Sequence, residues 1–283
     1  MSIRRFVPWW ALLAVRIALS FVPVSQAFWK RVGVFRSGGA APGYFIDVAR
    51  AHLDTIDVRG KAVVELGPGD SLVGAITARA LGAAEVWAID VAPRATRSAQ
   101  HYAEARRALT ETGLPATGDG FPGERDGIHY RIDGLAGLRA LPTGSVDIVW
   151  SNAVLEHVRR EEMAPLIAEI ARVLRPGGVS VHQVDLRDHL VGGANQLRVP
   201  SRWWESGLVA RSGVYTNQML LHEIVALFEA AGLTTESLTT TEWDDAHRPD
   251  PARLAAPWCD AAPHDLRAAD FCLRSRRPAE VVA

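Results

Sequence analysis

The run Lys61-Ala62-Val63-Val64-Glu65-Leu66-Gly67-Pro68-Gly69-Asp70 constrains this chain more than any other stretch. Residues 62–66 are an apolar run that reads as a buried strand, and two glycines follow it one residue apart. Glycine at those positions lets the chain turn sharply and lets a ligand reach backbone amides that a Cβ would shield. The helix predicted over 71–81 then points its N-terminus at whatever lies over the turn. Strand, turn and helix together make a nucleotide-type pocket.

The same alternation repeats downstream. Strands are predicted at 85–90, 128–132, 146–150 and 179–185, and helices at 44–53, 95–109 and 160–174, the last ending at the stop signal Arg175-Pro176-Gly177-Gly178. Strands alternating with helices imply a parallel sheet with right-handed crossovers, and ligands of such sheets bind at the strands' carboxyl ends. Gly67, Asp90, Asp133 and Ser151 all fall there. Asp90 ends the second strand about twenty residues beyond the glycine turn, where a carboxylate can accept both hydroxyls of a ribose. After a helix over 217–231, strands at 234–243 and 269–277 follow with no helical crossover between them. At 283 residues and 48% hydrophobic, the chain can bury one large core with an arm or lid to spare.

Five segments in this order resemble the class I S-adenosylmethionine-dependent methyltransferase family. They are Val64 to Asp70, Asp90, Ile132-Asp133-Gly134, the stretch from Val146 through Leu155-Glu156-His157, and Leu174-Arg175-Pro176-Gly177-Gly178. The resemblance implies an α/β fold, a Rossmann-like three-layer sandwich on a mostly parallel seven-stranded sheet of order 3-2-1-4-5-7-6 with an antiparallel terminal pair. It implies S-adenosyl-L-methionine as cofactor: Glu65, Gly67, Pro68 and Gly69 at the methionine end, Asp90 and Val91 at the ribose, Asp133 and Gly134 at the adenine, and Ser151 and Asn152 beside them. A nicotinamide dehydrogenase, the rival on this architecture, needs a third glycine three residues after the second. Here Asp70, Ser71 and Leu72 follow Gly69.

The polar, aromatic segment 186–217 at the end of the fifth strand belongs over the site as an acceptor lid. Its run His182-Gln183-Val184-Asp185-Leu186-Arg187-Asp188-His189 and its later Tyr215-Thr216-Asn217 resemble a subset of bacterial methyltransferases for which cell-surface glycans are one suggested substrate. The expected reaction moves a methyl group to a small-molecule or glycan acceptor, on oxygen, by in-line displacement. Aligning the partners can contribute on the order of 7–11 kcal/mol. A hydroxyl acceptor gains from a base with a pKa near neutrality, so His189 is the first candidate, with Asp185 or Asp188 orienting it. His182, Arg187, Arg198, Trp203, Trp204, Tyr215 and Asn217 are the candidate acceptor-binding residues. The structural readings of the histidines are hydrogen bonding and core packing, and for Trp203-Trp204 a wedge that packs the lid on the body. No metal is expected, because strand geometry puts His182 and Asp185 on opposite faces. The segment 244–266, rich in proline and alanine, reads as a surface loop. A non-catalytic cofactor-binding or membrane-tethered partner protein is the alternative function.

Domain organisation is read as an apolar arm over 1–40 joined to the catalytic domain at 41–283. Residues 1–46 hold Arg4, Arg5, Arg16, Lys30, Arg31 and Arg36 and no acid, although the whole chain carries a net charge of only −1. That balance gives no reason to expect nucleic acid as a partner. The arm has four readings: an interfacial helix on an anionic membrane surface with Trp9, Trp10, Phe21 and Trp29 at the interface, a docked helix, a membrane span burdened by Arg16, and a cleaved leader ending near Ser25-Gln26-Ala27. With only Cys259 and Cys272 and a cofactor found inside cells, a cytoplasmic setting is expected, with the arm peripheral at the inner face of the membrane.

Overall fold

The computed structural model describes residues 7–21, 41–116, 118–245 and 247–279. Helix α1 (Trp9–Ser20) precedes α2 (Pro42–Leu53), β1 (Ala62–Leu66), α3 (Val73–Ala80), β2 (Glu85–Ile89), α4 (Ala99–Glu111) and β3 (Ile128–Arg131). Then come α5 (Leu135–Arg139), β4 (Val146–Asn152), α6 (Arg160–Val173) and β5 (Leu174–Asp185). The lid carries α7 (Ser201–Trp204) and α8 (Gly207–Ala210), and α9 (Leu221–Ala230) leads into β6 (Thr234–Glu242) and β7 (Ala268–Arg276). All seven strands form one sheet of order β3-β2-β1-β4-β5-β7-β6. β1 to β5 run parallel, and β7 lies antiparallel to both β5 and β6.

Neighbouring residues on the central strands belong to different cores. Val63, Val86, Ile148 and Trp150 pack with Leu53, Leu72, Ile76 and Tyr102, whereas Val64, Ile89 and Val149 pack with Met163, Ile167, Ile170 and Phe228. A period of two with both faces covered gives the three-layer sandwich and explains the apolar runs Ala62-Val63-Val64 in β1 and Ile148-Val149-Trp150 in β4.

Local chemistry moves several predicted boundaries. Pro42 sits at the first position of α2, so the glycine-rich linker ends sooner than its composition implies. α4 starts at Ala99 because the Ser98 hydroxyl caps it, accepting from the His101 amide at 3.3 Å. Arg175 to Gly178, predicted as a turn, is absorbed into β5 as an irregularity where pairing jumps from Val146–Leu174 to Ile148–Val179. The segment 244–266 is not a bare surface loop. Its Leu254, Trp258 and Leu266 are buried with Leu197 of the lid, Leu220 and Trp243, and the Ala255 amide donates to the Leu197 carbonyl at 2.9 Å. Proline and alanine content hid a buttress for the lid.

Leu13 and Ile17 of α1 pack against Trp204, Val209 and Tyr215 of the lid, and the Arg211 guanidinium lies 5.9 Å from the Phe21 ring centroid. Trp10, Val15 and Phe21 stay exposed. Among the described residues, no helix is long and apolar enough to cross a membrane. Arg4, Arg5, Ser25-Gln26-Ala27, Trp29, Lys30, Arg31, Arg36 and the start of the linker at Gly38 lie outside the described residues.

Candidate active site

The glycine turn is built as its sequence requires. Gly67 and Gly69 have φ of +63° and +64°, and a Cβ added to Gly67 would lie 2.5 Å from a Val154 methyl. The turn is tied to the neighbouring strand end. The Gly67 amide donates to the Ile89 carbonyl at 2.8 Å, and the Gly69 amide donates to Asp90 Oδ2 at 3.0 Å. Asp90 Oδ1 in turn accepts from the amides of Val91 at 2.7 Å and Ala92 at 3.3 Å. Asp90 therefore holds the end of β2 against the turn that follows β1.

Beneath the turn, Glu65 is buried, and its Oε2 has no hydrogen-bond partner. Gly74 of α3 makes room for this carboxyl, since a Cβ there would lie 2.4 Å from Glu65 Oε1. Burial, and then the charge of Asp90, push the Glu65 pKa up to about 8. A buried carboxyl in this state gains most from an arriving cation. On the far side of Asp90, Val91 and Ile132 are 72% and 48% exposed at the ends of β2 and β3, with the exposed Asp133 next in sequence. Gly134, at φ +54°, donates its amide to the Asp90 carbonyl at 2.9 Å and closes this edge. Two carboxyls, a turn without Cβ cover and two exposed apolar side chains suit S-adenosylmethionine, which has an ammonium and a sulfonium at one end, a ribose in the middle and adenine at the other. Pro68 is buried in the turn, and Asn152 ends β4 half-buried beside Ala153, whose φ of +52° is unusual for a residue with a Cβ. Ser151 does not join them. Its hydroxyl pairs with His182 Nδ1 at 2.7 Å, and both side chains are fully buried within the sheet.

On the acceptor side the structure sorts the candidates by what their polar atoms already hold. His182 packs against Phe228, and burial drives its pKa down to about 3, so it is a neutral core residue and not an acceptor ligand. As pH falls from the usual histidine value of 6.5 towards 3, this burial costs the folded state up to about 1.4 kcal/mol per pH unit; above 6.5 the stability is fully present. Asp188 is not an orienting carboxylate. Its Oδ1 accepts from the amides of Leu190 and Val191 at 2.8 and 2.7 Å, and its Oδ2 accepts from the Gly193 amide at 2.9 Å and Asn195 Nδ2 at 2.8 Å. Asp185 accepts from the Arg187 amide and side chain at 3.0 and 3.1 Å, and Arg187 also pairs with Asp270 at 2.7 Å. Trp204 is buried and donates Nε1–H to the Thr216 carbonyl at 2.6 Å. Tyr215 donates its hydroxyl to Glu205 at 2.8 Å, and Arg159 lies 3.4 Å from the same carboxylate, a latch between the lid and the start of α6. Asn217 donates to the carbonyls of Leu155 at 2.8 Å and Val158 at 3.1 Å, and its amide donates to the Glu156 carbonyl at 2.7 Å. Trp204, Tyr215 and Asn217 are thus scaffold, leaving Arg198 half-buried and Trp203 64% exposed as lid residues able to meet an acceptor.

His189 is instead brought to His157, ring against ring, edge to face at 4.7 Å between centroids. Burial lowers the pKa of both, that of His157 to about 4 with His189 as the next cause, while Asp185 and Asp188 partly oppose the shift at His189. His157 Nδ1 lies 2.8 Å from the Tyr215 carbonyl, which can only accept, so Nδ1 carries the proton and Nε2 keeps its lone pair. Glu156 completes the group. It is 1% exposed, neither carboxyl oxygen has a hydrogen-bond partner, and burial first, with the charge of Asp185 next among the raising causes, pushes its pKa up to about 8. Sequence reasoning assigned His157 to packing and named Glu156 and Ile132 only within the resembling segments, with no role of their own. The one available signal was an acid set directly after the apolar Val154-Leu155.

Residues 64–182 match the family described as a methyltransferase domain. The ubiquinone biosynthesis O-methyltransferase of Xanthomonas oryzae pv. oryzae is 30% identical over 158 residues, 56% of this chain and 56% of that protein. The chain thus spans about half the length of the curated relatives it matches. Among solved structures, an S-adenosylmethionine dependent methyltransferase from Mesorhizobium loti is 22% identical, with 84% of this chain and 99% of that one covered at a TM-score of 0.45. Geranyl diphosphate C-methyltransferase from Streptomyces coelicolor A3(2) is 15% identical, with 82% and 78% covered at a TM-score of 0.48. These structural likenesses say nothing about the reaction. Residues 64–182, which carry the glycine turn, Asp90, Asp133 and the Leu155-Glu156-His157 turn in sequence, are thus similar to a methyltransferase domain.

Proposed function

We propose that this chain transfers the methyl group of S-adenosylmethionine to an oxygen of a small-molecule acceptor held under the lid at 186–217. The observation that carries the reading is the buried Glu65 carboxyl under the glycine turn, whose Oε2 has no hydrogen-bond partner, with Asp90 beside it. Bound there, the cofactor supplies a methyl group already activated by the sulfonium. The chain's residues then have three tasks. Glu65 and Asp90 place negative charge at the cationic and ribose portions, and Val91 and Ile132 flank the adenine. The lid excludes water and aligns the acceptor. His189 or His157, both neutral, can take the proton of an acceptor hydroxyl. The Xanthomonas relative is named for methylation on oxygen, which supports an oxygen acceptor. A sugar hydroxyl is the second acceptor class, supported by the exposed Trp203 as a stacking surface.

Incubating the protein with methyl-labelled cofactor and size-fractionated lysate should place base-stable label in a small-molecule or glycan fraction. Calorimetry that shows no heat with either the cofactor or its demethylated product would end the proposal.

Glu65 makes binding pH-dependent in a defined direction. Below pH 8 the free carboxyl is protonated and must lose that proton to face a cation. Affinity should therefore fall about tenfold per pH unit below about 8 and level off above it. Glu65→Gln should abolish the slope. Titrations between about pH 6 and pH 9 test this, and a flat wild-type profile contradicts it.

For the arm, packing of Leu13 and Ile17 on the lid supports the docked reading for one face of α1, and the exposed Trp10, Val15 and Phe21 support membrane contact for the other. We place the protein in the cytoplasm, peripheral at the inner face of the membrane through that outer face. Flotation with anionic vesicles should carry the full chain and leave behind a chain starting at Gly39; equal flotation counts against it.

A further inference from the structure

Glu156, His157 and His189 form a cluster that methyl transfer from S-adenosylmethionine does not by itself require. Each offers one ligand atom, and these atoms all lie within 4.8 Å of one another. Glu156 is 1% exposed and neither carboxyl oxygen has a hydrogen-bond partner in good geometry, the backbone of Glu156 and Asp185 offsetting its burial only in part. Burying such a group costs several kcal/mol of order unless something compensates it. The histidine beside it is prepared as a ligand. His157 donates Nδ1–H to the Tyr215 carbonyl at 2.8 Å and thereby keeps Nε2 unprotonated, the outer hydrogen bond that orients a metal-binding imidazole. The turn carrying Glu156 and His157 is pinned by Asn217 through the carbonyls of Leu155, Glu156 and Val158. His189 arrives from the lid, whose loop Asp188 holds in shape.

We propose that Glu156, His157 and His189 bind a divalent first-row transition metal ion of the zinc type, at the mouth of the acceptor site. Two imidazoles and one carboxylate suit zinc and its neighbours, whereas magnesium and calcium favour all-oxygen sets. Three protein ligands leave a coordination position open, as metal sites that take a substrate do. Ligand atoms in a closed site lie nearer one another than 4.8 Å, so binding draws the lid's His189 inward and couples lid closure to the ion. The open position faces the acceptor, and this role rests on the methyl-transfer reading. There the ion would take the acceptor oxygen. With His157 and His189 engaged as ligands in place of serving as the base, the proton of that oxygen leaves to water, and the oxygen bonds to the methyl carbon as the carbon–sulfur bond breaks. This differs from the metal rejected on sequence grounds, which would have used His182 and Asp185. His182 is spent on Ser151 inside the sheet.

The test uses the chelator-stripped full chain, titrated with zinc chloride by calorimetry, and cobalt(II) followed by its visible absorption. One zinc site per chain is expected, together with an intense cobalt spectrum of low coordination number. Glu156→Gln is isosteric and keeps a neutral side chain at this buried position, so the fold should persist; zinc affinity should drop at least about tenfold and the cobalt band should disappear. His189→Ala, checked by its melting curve, should do the same. Zinc binding that is absent, or unchanged in Glu156→Gln, overturns the proposal, as does a cobalt spectrum of the hydrated ion. S-adenosylmethionine binding is measured on the same preparations. Cofactor binding without zinc binding rejects the metal site and leaves the methyltransferase reading intact.

Discussion

Asp90→Ala should weaken S-adenosylmethionine binding about a thousandfold, from an expected micromolar affinity near −8 kcal/mol. The carboxylate is positioned to accept both ribose hydroxyls, and hydrogen bonds to a charged group contribute about 1.5–3 kcal/mol each. Losing two of them removes on the order of 4 kcal/mol, and each 1.4 kcal/mol is tenfold. The substitution also releases the turn, because Asp90 Oδ2 accepts from the Gly69 amide and Oδ1 from the Val91 amide. Asp90→Asn keeps an acceptor for Gly69 and should lose less. It should also move the pH dependence of binding downward, since the Asp90 charge is one of the two causes that raise Glu65. Calorimetry on the three proteins decides the matter. A loss of less than tenfold in Asp90→Ala would remove Asp90 from the cofactor site.

Asp188→Ala should cost the largest stability loss of any single change in the lid, about 3 kcal/mol. The side chain is 2% exposed and serves the amides of Leu190, Val191 and Gly193 and the side chain of Asn195. Removing it leaves several buried donors unsatisfied at once, which costs more than the bonds themselves contribute. In a chain of this size the loss corresponds to a melting temperature lower by on the order of 10 °C. Asp188→Asn retains one carbonyl acceptor and should fall between the two. His189 is the next residue, so the alanine variant should also lose acceptor turnover while its cofactor affinity holds. Unchanged melting would mean that the loop does not depend on this carboxylate. Cofactor affinity falling in step with turnover would mean that the lid and the cofactor cradle are one unit.

The glycine turn and the strands that flank it were legible because their signals are local. Glycine at 67 and 69 announces a positive φ, an apolar period announces β1 and β2, and Asp90 announces itself by falling at the end of a strand. The terminal strand reversal was expected from the family resemblance and not from spacing, since residues 243–267 between β6 and β7 are long enough to hold a crossover helix. The acceptor half was not legible. His182, Asp188, Trp204, Tyr215 and Asn217 are polar or aromatic residues in an irregular stretch, which in a linear reading resemble ligand-binding groups. Each is spent on a partner, and several of those partners are remote: Asn217 bonds Leu155 across 62 positions and His157 bonds Tyr215 across 58.

The glycine turn and the acid at the end of β2 follow from the chain alone, because backbone conformation and apolar period are properties of a few consecutive residues. Whether a polar side chain stands free or is consumed depends on which segments meet, and only the folded structure decides that. Glu156 shows the difference. In the sequence it is one acid beside an apolar pair, but β4, the 155–158 turn and the lid close around it and leave both its oxygens without a partner.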